Sequence, residues 1–219
     1  AGLYAIYTNG VTNGWWPAWG DKPTTAATPT TRPAPTAPAT APTEAAMSGG
    51  YQIGPDGVLV RPAEHAASTY TKPELPEEAK QHTEEGAEAA ARHYLDLIVY
   101  AWNTGDTQPL ADMSDPSSNY AQGHIANTQE MYTNGWSFGN SATVQEVLRL
   151  EAVAEQDGAI PPNTIGVRFL VSASNGTRCK EQSIVVDSAQ HSSTITLFMT
   201  WKDNRWTELQ GSARDYDDE

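Results

Sequence analysis

The chain has 219 residues, with 13 Lys and Arg against 27 Asp and Glu, giving a formal net charge of −14. No window holds the ~18 uninterrupted apolar residues that a membrane helix requires, and a polyanion is repelled by phosphate, which argues against nucleic acid or an anionic lipid surface as a partner. The single cysteine, Cys179, forms no internal disulfide, and zinc-ribbon and zinc-finger spacings are absent.

The charge is unevenly placed. Residues 1–72 hold four basic and four acidic side chains, so residues 73–219, with nine basic against 23 acidic, carry the whole excess. Four segments follow from composition. Residues 1–22 open with AGLYAIYTNGVTNGWWPAWG, which is uncharged and aromatic, and Tyr4, Tyr7, Trp15, Trp16 and Trp19 are its candidate docking side chains. Tryptophan concentrates in binding hot spots and at membrane–water interfaces. Three readings stay open for it: docking on another protein, folding back on its own domain, and interfacial lipid contact. The recurring Thr-Asn-Gly, at Thr8, Thr12 and Thr133, reads as turn chemistry.

Residues 23–47 form a spacer, in which 22 of the 24 residues from Pro23 to Ala46 are Pro, Thr or Ala. Such a run buries no core and favours polyproline-II geometry, reaching roughly 75 Å at about 3.1 Å per residue. Residues 48–72 read as a hairpin and connector. Tyr51 and Ile53 precede a Pro55-Asp56-Gly57 turn, and Val58 to Val60 follow it. Two short strands alone are marginal, so this hairpin is expected to pack on the main domain. A Pro/Thr/Ala spacer suits a protein held at the extracytoplasmic face of the cell membrane, clear of its anchor. The sequence begins at Ala1 with neither an initiator Met, an apolar signal segment nor a lipid-bearing Cys, so it reads as processed or truncated, with an anchor that is inferred and not visible.

Residues 73–219 read as an acidic α+β domain. Pro73-Glu74-Leu75-Pro76 blocks a helix before Glu77, and the spacing of Ala87, Ala90, Ala91, Tyr94, Leu97, Ile98, Ala101 and Trp102 predicts one helix from there to Asn103. Gly86 would loosen its middle and Gly105 would stop it. Short helices are expected over Thr107 to Met113 and from about Tyr120 to Tyr132. After Gly139 the period falls to two. Thr143 to Ala154 is compatible with a strand or a helix. Ile165, Val167, Phe169, Val171 and Ala173 share one face, Asn175-Gly176 is read as a turn, and a strand follows around Cys179 to Val186. Ile195, Leu197, Met199 and Trp201 alternate again, before Asp203-Asn204 turns into a strand over Arg205 to Gly211. Helices followed by sequential antiparallel strands make an α+β domain whose sheet curls around the first helix.

Pro76, Ala79, Thr83, Gly86-Ala87, Ala90-Ala91, Tyr94, Thr104-Gly105-Asp106-Thr107, Leu110 and Ser114-Asp115-Pro116 together resemble a family of actinobacterial envelope proteins of unknown function, usually lipoproteins with a Pro/Thr-rich spacer. The order of helices and sheet resembles the nuclear-transport-factor-like cone. The match covers about 48 residues, and the strand half agrees only in pattern. The resemblance implies a Cys-x-x-Cys pair after the Ser-Asp-Pro turn; Ser118 and Ala121 stand there instead, so packing is expected to replace a staple.

A cone fold implies a pocket between the long helix and the sheet, for which Tyr94, Ile98, Phe169 and Trp201 are the candidate lining. Polar candidates for acid–base chemistry are Tyr94, Asp106, His124, Glu146 and Arg168, and no spacing selects any of them. His124 is read as exposed or capping, Asp106 as a turn or cap residue, and Cys179 as a small strand residue. The five histidines lack helical metal spacing, and no catalytic residue, metal or cofactor is expected. Three functions remain. The leading one is a non-enzymatic extracytoplasmic accessory or scaffold protein docking on subunits of a membrane protein complex, respiratory or cell-envelope. The others are a binding protein for a small apolar ligand in the cone, and a cone-fold isomerase or dehydratase.

Overall fold

The structure is a computed structural model that describes residues 50–216. Tyr4, Tyr7, Trp15, Trp16, Trp19 and the Pro/Thr/Ala spacer lie outside those residues. Helix α1 spans Glu84–Thr104, α2 Gln108–Asp112 and α3 Asn119–Thr133. Strands β1 (Gly135–Phe138), β2 (Ser141–Ala152), β3 (Thr164–Lys180), β4 (Ser183–Lys202) and β5 (Arg205–Asp215) then form one antiparallel sheet. This is the expected α+β architecture, a few helices followed by a curved sheet. Among the described residues no helix is long and apolar enough to cross a membrane.

Helix α1 starts seven residues later than the spacing predicts. Thr83 caps it, its hydroxyl accepting from Gly86 N at 3.0 Å, while Glu78–Lys80 form a separate 3-10 turn. A cap of this kind contributes about 1 kcal/mol, enough to set the first turn. Gly86 therefore lies in the first turn, not the middle, and leaves room for the Gln81 carbonyl packed against it. At the other end Gly105 takes φ 81° and donates to the Ala101 carbonyl at 2.8 Å. Of the predicted apolar face, Ala87, Ala90, Ala91, Tyr94, Leu97, Ile98 and Ala101 are buried, and Trp102 is partly buried against the core.

The sheet order is β1-β3-β4-β5, and β2 also pairs with β3. β1 takes the Thr177–Lys180 end of β3 and β2 takes Ile165 to Ser174, so both share one edge of that long strand. Val167, Phe169, Val171, Ile195, Leu197 and Met199 turn toward α1 and complete the main core. Register shifts in β2, at Ser174/Gly176 and at Phe198/Met199 bend the sheet around the helix, since each extra residue kinks its strand.

Asn175-Gly176 is not a turn. Gly176, at φ 61°, forms a bulge inside continuous β3, and the chain reverses later, where Glu181 (φ 49°) and Gln182 (φ 65°) form the two-residue connection. Thr143 to Ala152 is strand, and Asp203-Asn204 makes the expected turn, with φ 51° and 58°. A second cluster of Leu59, Trp136, Phe138 and Cys179 joins the 51–60 hairpin to β1 and β3, and Trp136 Nε1 donates to the Leu59 carbonyl at 2.9 Å.

Candidate functional site

Strand β5 carries a carboxylate where alternation calls for an apolar side chain. Trp206 and Glu208 share the inward parity, and Glu208 is 0% exposed. Its backbone ties the α2–α3 loop to the sheet, with Glu208 N donating to Met113 O at 2.8 Å and Asp115 N donating to Glu208 O at 2.7 Å. The side chain repeats the link. Ser118 Oγ donates to Oε1 at 2.9 Å, and Tyr94 Oη donates to Oε2 at 3.2 Å. Tyr94 Oη also lies 3.0 Å from Ser114 Oγ, which donates to the Leu110 carbonyl at 2.7 Å. Ser118 is meanwhile the N-cap of α3, accepting from Ala121 N at 3.2 Å. The position that lacks a cysteine thus holds the loop by hydrogen bonds to Glu208.

Among the described residues no cation offsets this carboxylate. Burial pushes Glu208 up to about 7, against the opposing hydrogen bonds from Ser118 and Tyr94, and the charge of Asp115 adds to the rise. Burial, then the charge of Glu208, also raises the Tyr94 hydroxyl, and the same two causes raise Tyr120. A carboxyl poised near neutrality beside a phenol is the pair an acid–base enzyme requires. Here it is sealed, because Tyr94, Leu110, Ser118 and Tyr120 close over it and are themselves buried.

The other polar candidates are scattered. Asp106 is exposed and accepts from Gln108 N at 3.1 Å, as a turn residue does. Glu146 is exposed on the face of β2 turned away from the helices, and Arg168 lies on that same face of β3, its Nε donating to Thr196 Oγ1 at 3.1 Å. His124 is 2% exposed, not capping or solvated, and burial lowers it to about 4, so its imidazole is neutral. It stands edge-on to Tyr120 at 4.6 Å. Cys179 is a buried strand residue whose thiol is raised by burial. No group of three or more His, Cys, Asp or Glu able to hold a metal occurs among the described residues.

Of the candidate pocket residues, Tyr94, Ile98 and Phe169 fill the main core. Arg92 lies 5.2 Å over the Phe169 ring. Trp201 sits at the rim of the core, stacked by His82 at 5.0 Å and met edge-on by Trp206 at 5.2 Å. These four side chains pack; they do not frame the open groove. That groove, of about 640 Å³, runs outside α1 between the 72–80 segment and the start of β5, lined by Leu75, Lys80, His93, Asp112, Arg205 and Trp206 among others. Sequence reasoning does not select Glu208; the one signal for it is Trp206-x-Glu208 in a strand, which puts a carboxylate on the same face as the tryptophan.

Residues 62–210 match a family described as of unknown function, DUF6318. No curated protein matches the chain. Among solved structures it is similar to the intermembrane-space region of the chloroplast protein ARC6, at 13% identity over 61% of this chain and 97% of that one, with a TM-score of 0.44. The association domain of C. elegans CaMKII shares 10% identity over 61% and 99%, with a TM-score of 0.41. An NTF2-like protein with a cystatin-like fold from Novosphingobium aromaticivorans shares 11% over 61% and 84%, at 0.37. These likenesses concern the fold alone.

Proposed function

We propose that this chain, which belongs to the DUF6318 family of unknown function, is a non-enzymatic accessory module of the cell envelope that docks on a membrane protein complex at its extracytoplasmic face. The observation that carries this reading is the sealed interior. Among the described residues, the carboxylate–phenol pair suited to acid–base work, Glu208 and Tyr94, is 0% exposed on both sides. The cone is filled with Val167, Phe169, Leu197 and Met199, which leaves the molecule's outer surfaces and its N-terminal tip to meet partners.

In this reading Tyr4, Tyr7, Trp15, Trp16 and Trp19 supply the apolar anchors, and the spacer gives them reach. Aromatic anchors of this kind are worth about 2 kcal/mol or more each when seated in a partner's pocket. The acidic domain keeps its distance from anionic headgroups and attracts a basic partner at low ionic strength. The test is affinity purification from native membranes with the full chain, with a chain lacking residues 1–20, and with Trp15, Trp16 and Trp19 all changed to Ala. The full chain should recover a defined set of membrane subunits and both variants should lose them. Equal recovery by all three chains would overturn the proposal.

A further inference from the structure

A cleft separate from the sealed Glu208 centre lies beneath α3, where that helix crosses the β1 end of the sheet. Its volume is about 90 Å³, and Trp102, Met131, Tyr132, Thr128, Asn127 and Arg178 contribute to its wall. The topology explains the mixture. β1 and β3 pair Trp136 with Cys179 and Ser137 with Arg178, so alternate pairs point to opposite faces. Trp136 and Cys179 go to the hairpin cluster; Ser137 and Arg178 turn the other way, into the cleft.

The Arg178 side chain is half-buried and, among the described residues, takes part in no ion pair or hydrogen bond. In a chain of net charge −14 that is a notable state for a guanidinium, because acidic side chains are plentiful. The acids near this end of the sheet are engaged elsewhere: Glu130 pairs with Lys180 at 3.0 Å, and Asp187 accepts from Asn175 Nδ2 at 2.9 Å. Thr128 Oγ1 is buried without a hydrogen-bond partner beside the same cleft. Asn140 Nδ2 donates to Ser137 Oγ at 2.8 Å, so the Ser137 hydroxyl proton is available to a further acceptor. A half-buried guanidinium without an acidic partner, beside unspent donors, is completed by an acceptor of opposite charge.

We propose that this cleft is a binding site for a short aliphatic monocarboxylate. The planar fork of Arg178 matches a carboxylate bidentately, which an ammonium cannot do. Trp102, Met131 and Tyr132 offer the apolar wall for a stem of one to three carbons. The enclosed part of the cleft, about 90 Å³, is smaller than the roughly 150 Å³ of a closed cavity that holds an aromatic ring, which favours a short stem. The site does not depend on the docking reading, since it involves none of residues 1–20.

The probe is sodium propionate, titrated into the full ¹⁵N-labelled chain at constant ionic strength and followed at the Arg178 Nε–H and Trp102 Nε1–H resonances. Saturable shifts of both in the low-millimolar range are expected, with propionamide, the neutral isostere, producing none. Arg178→Gln should abolish saturation. Arg178→Lys, which keeps the charge and loses the fork, should weaken binding about tenfold. Both variants sit on the cleft wall outside the main core, and an unchanged amide spectrum elsewhere confirms their folding. Linear, unsaturable shifts in the wild type, equal shifts from propionamide or sodium chloride, or undiminished binding by Arg178→Gln would each overturn the proposal. Binding by Arg178→Lys as tight as wild type would overturn the bidentate geometry on which it rests.

Discussion

Replacing Glu208 by Gln tests the interior directly, because it removes the charge and keeps the shape. The folded-state value near 7 stands well above the ordinary 4.5. A carboxyl whose proton is held more tightly in the folded chain stabilises that chain at low pH and loses the contribution as pH rises from about 4.5 to about 7. At roughly 1.4 kcal/mol per pH unit, the shift corresponds to about 3 kcal/mol of folding stability. Wild-type chain alone would hide it. His124 is displaced the other way, to about 4 from 6.5, so its contribution is complete above 6.5 and is lost as pH falls toward 4. The two slopes oppose each other through the mildly acid range, and the net curve is nearly flat there. The difference between Glu208→Gln and wild type cancels His124, His93 and Asp96, which are common to both. Urea unfolding should find the variant within about 1 kcal/mol of wild type near pH 5 and about 3 kcal/mol more stable near pH 8. The amide can be accommodated, since the Ser118 and Tyr94 hydroxyls can reorient to accept from it. A difference that does not change with pH, or a variant destabilised near pH 8, would refute the reasoning.

Four further outcomes follow from the same geometry. Ser118→Ala removes both the α3 cap and a hydrogen bond to Glu208, and should destabilise by about 2–3 kcal/mol, more near pH 8 than near pH 5, as read by chemical denaturation. Gly211→Ala places a methyl 2.5 Å from the Tyr120 ring and should lower stability by about 1–3 kcal/mol, with the Tyr120 resonances shifted. Phe169→Ala, at the centre of the core, should cost about 3–5 kcal/mol in the same assay. Trp206→Phe loses the 2.8 Å bond from Nε1 to the Gln81 carbonyl and should cost about 1 kcal/mol, with faster amide exchange in the 78–82 turn.

The parts of the fold that were legible are those where one period governs a long run. Seven side chains of α1 recur at three and four because one face must be covered by the sheet, and Val167 to Ala173 alternate because their strand is covered on one side. Misreadings fall where a local signal competes with a long-range one. Asn175-Gly176 has strong turn chemistry, yet β3 and β4 stay paired as far as Lys180 and Ser183, and the added ladder outweighs the positive φ of Glu181 and Gln182. Glu77 to Gln81 has good helix propensity, but the Thr83 cap starts the helix after it. For the site, Tyr94 was visible as a helix residue of the inner face. Its partner is not, because the only local sign of Glu208 is that it shares parity with Trp206 on β5, and which face of that strand is covered is decided by the fold. His124 was misjudged for a similar reason: its burial comes from Tyr120 on its own helix and Trp102 across the packing, which no local pattern encodes.

The Glu208 centre also explains why a carboxyl group occupies a fully buried position in the domain. The α2–α3 loop contains Pro116 and three serines and offers little apolar surface of its own. Three polar links attach it to β5, two backbone bonds at Glu208 and the Ser118 hydroxyl on its carboxylate, and Tyr94 of α1 adds a further bond to that carboxylate. An apolar residue in place of Glu208 would keep the backbone pair and leave the Ser118 hydroxyl without its acceptor, at a penalty of about 1–3 kcal/mol, with Tyr94 left to Ser114 alone. A carboxylate with no cation nearby costs less if it can take up a proton, and its displacement toward neutrality lets it do so while still accepting both bonds. The centre therefore reads as a fastener that tolerates either charge state. With Tyr94 and Glu208 both fully buried, its proton exchanges within the centre's own hydrogen bonds.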